Sequence, residues 1–301
     1  MPFTHVRTFR VRYYECDAHA HLNNANYLRY MQESAFDASA AAGYDLARYN
    51  AMERLWLIRE SQVEYLHPLH YNDRVAIKTW VADFRRVSSR RAYEFYRLPP
   101  DGAGNPDLED FPLAARAYTD WAFIDTARER PSPIPAELVA AFYPEGAPER
   151  FPARAPFPSA PPPPPGVFKT RLKVAFGDID GMRHVNNAVY LNYVTECSMQ
   201  ALAAHGWPWE RLAAAGYGIF LRRNRIQYLQ PALLGDELEV STWVSDVRRA
   251  TARRHYAIRR ARDGALLARI STLSVWVGLE SGQPARFPRE FLADFKPNIV
   301  T

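Results

Sequence analysis

Tyr14-Glu15-Cys16-Asp17-Ala18-His19-Ala20-His21-Leu22-Asn23-Asn24-Ala25-Asn26-Tyr27-Leu28 has a counterpart later in the same chain, Phe176-Gly177-Asp178-Ile179-Asp180-Gly181-Met182-Arg183-His184-Val185-Asn186-Asn187-Ala188-Val189-Tyr190-Leu191. Asp17 and Asp180, His21 and His184, Asn24 and Asn187, and Tyr27 and Tyr190 are each 163 positions apart. Each copy reads as an aspartate, a nearby histidine, an Asn-Asn pair and then an apolar run of helical period.

Upstream of the first copy, residues 6–13 alternate apolar and polar side chains, as a half-buried strand does. Downstream, Leu28, Met31, Ala35, Ala38 and Ala42 form a helical stripe that Gly43 ends, and Leu191, Val194, Ser198, Ala201, His205 and Gly206 repeat it. A short helical connection and strand-like runs follow each helix, at 55–65, 74–84, 90–98 and 114–124, then at 219–228, 237–247, 253–260 and 265–277. Tyr65/Tyr228, Asp83/Asp246 and Arg85/Arg248 keep the offset; beyond the third strand it falls to 153, which places a ten-residue insertion in the Pro99-Pro100-Asp101-Gly102 hairpin. Between the halves, 144–166 ends in five consecutive prolines and is expected to be an extended spacer. The 301 residues therefore divide into domains at 1–143 and 167–301.

Hydrophobic content of 48% with 24% charged residues is that of an ordinary globular protein, and no apolar run reaches membrane-spanning length. Met-Pro-Phe-Thr-His-Val-Arg has no signal-peptide core, so the expectation is a cytoplasmic chain without membrane association. Two cysteines, Cys16 and Cys197, do not correspond between copies, which argues against a disulfide framework and a cysteine metal site. The +5 charge is mostly arginine, and without a basic face of interleaved aromatics it does not indicate nucleic acid.

One helix with four or five strands, repeated in tandem, resembles the hotdog fold, an α+β architecture in which a curled antiparallel sheet wraps a long central helix. The motif is similar to that of the 4-hydroxybenzoyl-CoA thioesterase type family, which reads Asp, a few residues, Gly-His-Val-Asn-Asn, two residues, Tyr-Leu. The second half also resembles the acyl-ACP thioesterases, themselves tandem hotdogs. Two departures stand out: the acyl-ACP enzymes carry an Asn where this chain has His19 and Met182, and the Gly before the motif His is Ala20 and Arg183 here.

The resemblance implies an acyl-thioester hydrolase acting on acyl-CoA or acyl carrier protein in fatty acid metabolism, with no cofactor and no metal. It implies an internal pseudo-dimer with pockets between the halves, leaving room for a further homo-oligomer. Asp17 and Asp180 are implied as nucleophile or general base, and backbone N–H groups near Asn24 and Asn187 as donors to the developing oxyanion. His21 and His184 either orient the carboxylate or water or hold the loop. Asn23 and Asn186 either fix the loop or bind the pantetheine amide.

Tyr27 and Tyr190 are candidate substrate contacts that read more readily as core. Glu33, Glu196 and Glu64 are candidates for supporting the site from behind. Arg85, Arg90, Arg248 and Arg253 are candidates for the CoA phosphates, against solvated strand-end charge. An aspartate ahead of a single helix is ordinarily just an N-cap; its duplication with His and Asn-Asn is what points to chemistry. Cys16 faces Ile179 in the other copy and reads as a small buried side chain. Two other readings are a hotdog dehydratase, which wants His and carboxylate on opposite sides of an interface, and a noncatalytic acyl-binding module, which predicts loss of one aspartate.

Overall fold

A computed structural model describes residues 1–99 and 107–300. Their contacts group them into two compact units, Met1–Pro156 and Phe157–Thr301. The boundary falls inside the proline-rich connector. The first unit runs β1 (Thr4–Arg10), α1 (Asn24–Ala41), α2 (Leu46–Ala51), β2 (Arg54–Tyr65), β3 (Arg74–Phe84), β4 (Ser88–Leu98), β5 (Leu113–Asp125), β6 (Arg130–Pro131) and α3 (Ala136–Phe142). Its strands pair antiparallel in the order β1-β3-β4-β5-β2, with β6 on β5.

The second unit runs β7 (Phe168–Lys173), α4 (Val189–Ala204), α5 (Trp209–Ala214), β8 (Tyr217–Tyr228), β9 (Glu237–Ser245), β10 (Thr251–Arg260), β11 (Leu266–Gly278) and α6 (Arg289–Phe295). Its antiparallel order, β7-β9-β10-β11-β8, repeats the first. The fold is thus α+β, and in each unit the two strands flanking the long helix lie at opposite ends of the order.

α1 packs on β1 and β3, and α4 on β7 and β9. The buried face of α1 carries Leu28, Met31, Ala35 and Ala38, and that of α4 carries Leu191, Val194, Cys197 and Ala201. Alanine at the contact lets helix and strand approach closely, and the larger side chains each contribute about 1.5–3 kcal/mol of burial. Both helices stop where expected, at Gly43 and Gly206 with φ of +81° and +79°, a conformation glycine adopts without a Cβ clash.

Two expectations change, and the connector gains contacts of its own. β1 ends at Arg10, before residue 13, because Glu15 Oε2 accepts from the Arg12 N–H (2.8 Å) and folds residues 13–15 into a 3-10 turn. β7 has no counterpart among the expected strands. The connector is docked: Arg154 pairs with Asp83 in the first unit, while in the second Phe157 lies under Arg269 (4.6 Å) and the Pro161 carbonyl accepts from Trp243 Nε1 (3.1 Å). At its end a Cβ on Gly166 would sit 2.4 Å from the Pro297 oxygen, so only glycine fits. The insertion expected at Pro99-Pro100-Asp101-Gly102 lies, apart from Pro99, outside the described residues. Among the described residues, no helix is long and apolar enough to cross a membrane.

The second unit buries a polar pair where the first has Ala82 and Ala92: His255 Nε2 meets Ser245 Oγ at 2.8 Å, with the ring stacked on Trp243. Burial pushes the His255 imidazole down to about 4, so folding holds it neutral. An unfolded chain binds a proton there from about pH 6.5 downward, so the stability from this site is complete above that value and lost as pH falls toward 4. Urea midpoints are expected to drop over this window by at most about 3 kcal/mol of stability. The Ser245→Ala/His255→Ala pair, which copies the first unit, should flatten that part of the profile.

Candidate active site

Each motif folds as a miniature hairpin that delivers the chain to the start of the long helix. In the first, Cys16 bridges Leu22, the Asp17 N–H donates to the His21 carbonyl (2.8 Å), and Ala20 turns the chain at φ +61°. In the second, Ile179 bridges Val185, Asp180 N–H donates to the His184 carbonyl (3.0 Å), and Arg183 turns at φ +61°. The two positions where the resembled family reads glycine both stand at positive φ, and Ala20 and Arg183 each accept left-handed strain there. Each hairpin also docks on the unit's own sheet side: Leu22 N–H to the Leu69 carbonyl at 2.7 Å, Val185 N–H to that of Ala232 at 3.0 Å.

Asn23 caps α1, and Asn186 makes the matching bond just ahead of α4. Asn23 Oδ1 accepts from Ala25 N–H (2.9 Å) and Asn186 Oδ1 from Ala188 N–H (3.0 Å). Asn23 by capping α1 and Asn186 by holding the residue that precedes α4 thus fix the loop, and the aspartates are released from that duty. Asp17 Oδ1 instead accepts from the N–H groups of His19 (2.9 Å) and His21 (3.2 Å), leaving Oδ2 without a protein donor among the described residues. Asp180 Oδ1 accepts from Met182 N–H (2.9 Å), and its Oδ2 receives Asn186 Nδ2 at 3.3 Å. The N–H groups of Asn24 and Asn187 have no protein acceptor among the described residues. α4 takes its regular form only at Val189, since its first turn closes tightly through Val189 N–H to the Asn186 carbonyl.

His21 is half-buried, its ring 5.1 Å from His70 and 6.3 Å from His19. Burial pushes its imidazole below the ordinary value; the Asp17 carboxylate opposes this, and His70 and His19 add to it. A neutral ring at physiological pH follows. His184 is also half-buried, but Met182 and Leu233 replace the other two histidines, so the two loops differ in electrostatics. Among the described residues, no three His, Cys, Asp or Glu side chains converge to hold a metal.

The sequence reading missed the brace beneath each hairpin. Glu15, buried, accepts from the Tyr30 hydroxyl (2.5 Å) at Oε2, and its carbonyl accepts from Asn23 N–H (2.9 Å) and Asn26 Nδ2 (2.8 Å). Asp178 repeats this with the Tyr193 hydroxyl (2.7 Å) and Asn186 N–H (2.9 Å). Burial and then the carboxylate bond push both phenols upward, so they stay protonated donors. The shared offset of 15/178 and 30/193 was the available signal.

Other candidates lie elsewhere. Tyr27 and Tyr190 are core, packed edge-on against Tyr65 and Tyr228, and the Tyr190 hydroxyl accepts from Ala232 N–H. Glu33 is exposed and paired to Arg7 (3.5 Å), and Glu196 is exposed and bonded to Gln200 (2.9 Å), so neither supports the site: both point off the outer helix face. Glu64 sits on β2 opposite Arg116 of β5. Arg90 is spent on a bidentate pair with Asp120 (2.7 Å each) over the Tyr118 ring. Arg85 holds the Pro152 carbonyl, Arg253 reaches Asp246 and Ser271, and Arg248 is exposed at the β9–β10 turn. Cys16 is half-buried, its thiol raised by burial and then by Asp17 and Glu15.

A family model described as the Thioesterase-like superfamily matches residues 11–142 and again 174–295. The chain belongs to that superfamily, and it is a thioesterase. The acyl-CoA thioester hydrolase YbgC of Escherichia coli is 25% identical over 130 residues, 43% of this chain and 96% of its own. A Lactobacillus plantarum structure assigned as an oleoyl thioesterase superposes with a TM-score of 0.75 at 17% identity, over 91% of this chain and 96% of that one. An acyl-ACP thioesterase from Bacteroides thetaiotaomicron gives 0.67 at 18% identity, covering 90% and 97%. These two likenesses bear on the fold alone.

Removing the Tyr30 hydroxyl by Tyr30→Phe leaves the buried Glu15 carboxylate short of a donor and is expected to cost about 1–3 kcal/mol in denaturant titration, with a smaller cost for Tyr193→Phe because Asp178 is only half-buried. Ala20→Gly relieves left-handed strain and should raise stability by about 0.5–1 kcal/mol, whereas Ala20→Val, β-branched at positive φ, should lower it by more than about 1.

Proposed function

We propose that this chain hydrolyses acyl thioesters carried on CoA or acyl carrier protein, through Asp17 and Asp180, on two tandem hotdog domains with α1 and α4 as the wrapped helices. The domain reading draws on the repeated strand order, with the strands around each long helix at opposite ends of it, and on the connector between 144 and 166. The observation that carries the mechanism is local. A carboxylate gripped by its own loop stands in the same hairpin that presents an uncommitted N–H at the helix start.

A thioester needs little help in its departure, because its thiolate is stable at a thiol pKa of about 8.5. It needs an activated oxygen and a stabilised oxyanion. The aspartate supplies the first, attacking the carbonyl carbon itself or taking a proton from water as water attacks. The C–O bond forms as the carbonyl electrons move to oxygen, and as they return to re-form the carbonyl the C–S bond breaks with the pair leaving on sulfur. Where the aspartate itself attacked, water then cleaves the acyl–aspartyl anhydride to the free acid and restores the carboxylate. The N–H of Asn24 or Asn187, with the helix dipole behind it, supplies the second. A neutral His21 orients the attacking oxygen without competing for the carboxylate as a cation. Asn23 and Asn186 hold the hairpin to the helix.

Thiol release from an acyl-CoA chain-length panel, with acyl carrier protein thioesters beside it, tests this on wild type, Asp17→Asn, Asp180→Asn and the double variant. The double variant is expected to lose about 10³-fold in kcat/KM. Loss in one single variant alone identifies one working loop. Wild-type rates in the double variant overturn the carboxylate assignment.

A further inference from the structure

The second unit holds a partly open pocket of about 40 Å³ lined by β8–β11 side chains and by α6 and its flanks. No residue of either motif lines it. Its wall is almost wholly apolar, with Phe287, Phe291 and Phe295 on one side, and its two polar side chains are Arg254 and Ser274. The repeat explains why the space exists. At the positions of Ile219, Val247 and Ser274 the first unit carries Trp56, Phe84 and Trp121, so two indoles and a benzyl ring have been exchanged for small groups.

Arg254 is not consumed by the fold. Its Nη1 is buried without a hydrogen-bond partner, and its guanidinium carbon lies 5.7 Å over the Phe295 ring. Among the described residues it forms no ion pair with a carboxylate. A cation so placed is costly unless an anion or strong acceptor meets it. The matched Arg91 lies over Phe142 (5.3 Å) with the phenols of Tyr93 and Tyr49 close enough to favour its charge; Leu212 stands where Tyr49 does.

We propose that this pocket binds a small carboxylate with a compact apolar body, its oxygens on the Arg254 guanidinium and Ser274 hydroxyl and its carbon against the phenylalanines. The planar guanidinium matches a carboxylate in two-point contact. The volume, on the order of three water-sized groups, limits the body to a few carbons. An acid is also what a thioesterase releases, so occupancy here rises with product; the site itself stands whichever group performs the hydrolysis.

Calorimetric titration with isobutyrate, and with isobutylamine as the charge-inverted match, tests the site on the full chain. Saturable binding of the acid and none of the amine is expected. Arg254→Met and Val247→Phe, the second restoring the first unit's ring, should each weaken it at least about 10-fold. Ser274→Trp should do the same; if it does not fold, Val247→Phe still decides. The Asp17→Asn/Asp180→Asn protein should bind as wild type does. No saturable acid binding, equal binding of the amine, binding unchanged in Arg254→Met or Val247→Phe, or binding lost in the double aspartate variant each overturn the proposal.

Discussion

Everything near the motif depends on which side chain caps the helix. Asn23 and Asn186 take the N–H groups of Ala25 and Ala188, leaving those of Asn24 and Asn187 uncommitted among the described residues, and the aspartates six residues earlier are held by their own hairpins. A carboxylate that capped the helix would satisfy the backbone and be useless as a base. One held a few residues back, in a loop closed by its own backbone bridge, keeps a fixed direction; Asp17 keeps Oδ2 available, while Asp180 Oδ2 also takes Asn186 Nδ2. The brace below follows from the same constraint. A hairpin with a left-handed residue at its tip needs support, and Glu15 with Tyr30, or Asp178 with Tyr193, supplies it from the helix.

Much of this was readable from one line of residues because the chain prints it twice. Helical and strand periods located α1, α4 and most strands, since those follow from side chains alternating against a core. The Gly43 and Gly206 stops were equally legible. What escaped depends on contacts between distant positions. Arg90 reads as a phosphate contact in the sequence, yet Asp120, thirty residues away, holds two of its three guanidinium nitrogens. Glu33 and Glu196 share an offset and a helix with the motif tyrosines, yet a helix turns, and that turn puts them on the outer face. The proximity of His70 to His21 exists only through a loop-to-loop bridge. β7 does alternate, Phe168, Thr170 and Leu172 against Lys169, Arg171 and Lys173, but it is six residues long and follows closely on the proline connector.

The two loops keep their geometry and differ in what surrounds it. Three imidazoles gather at Asp17, whereas Asp180 has one, with Met182 and Leu233 in the other places. Similar backbone paths can therefore house different proton chemistry. The cores diverge in the same manner: buried His255 and Ser245 replace alanines, and small groups replace the rings Trp56, Phe84 and Trp121. Duplication has preserved the scaffold more strictly than its fillings.

The connector bears on how such a duplicated chain is to be dissected. Arg154 belongs, through Asp83, to the module before it, while Phe157, Pro161 and Gly166 are seated on the module after it. Scissors placed by repeat alignment, at either margin of the proline tract, would strip one module of a strap that covers its own surface. A half excised for separate study has to take its share of the tether along, cut between residues 156 and 157 rather than at the edge of the repeat.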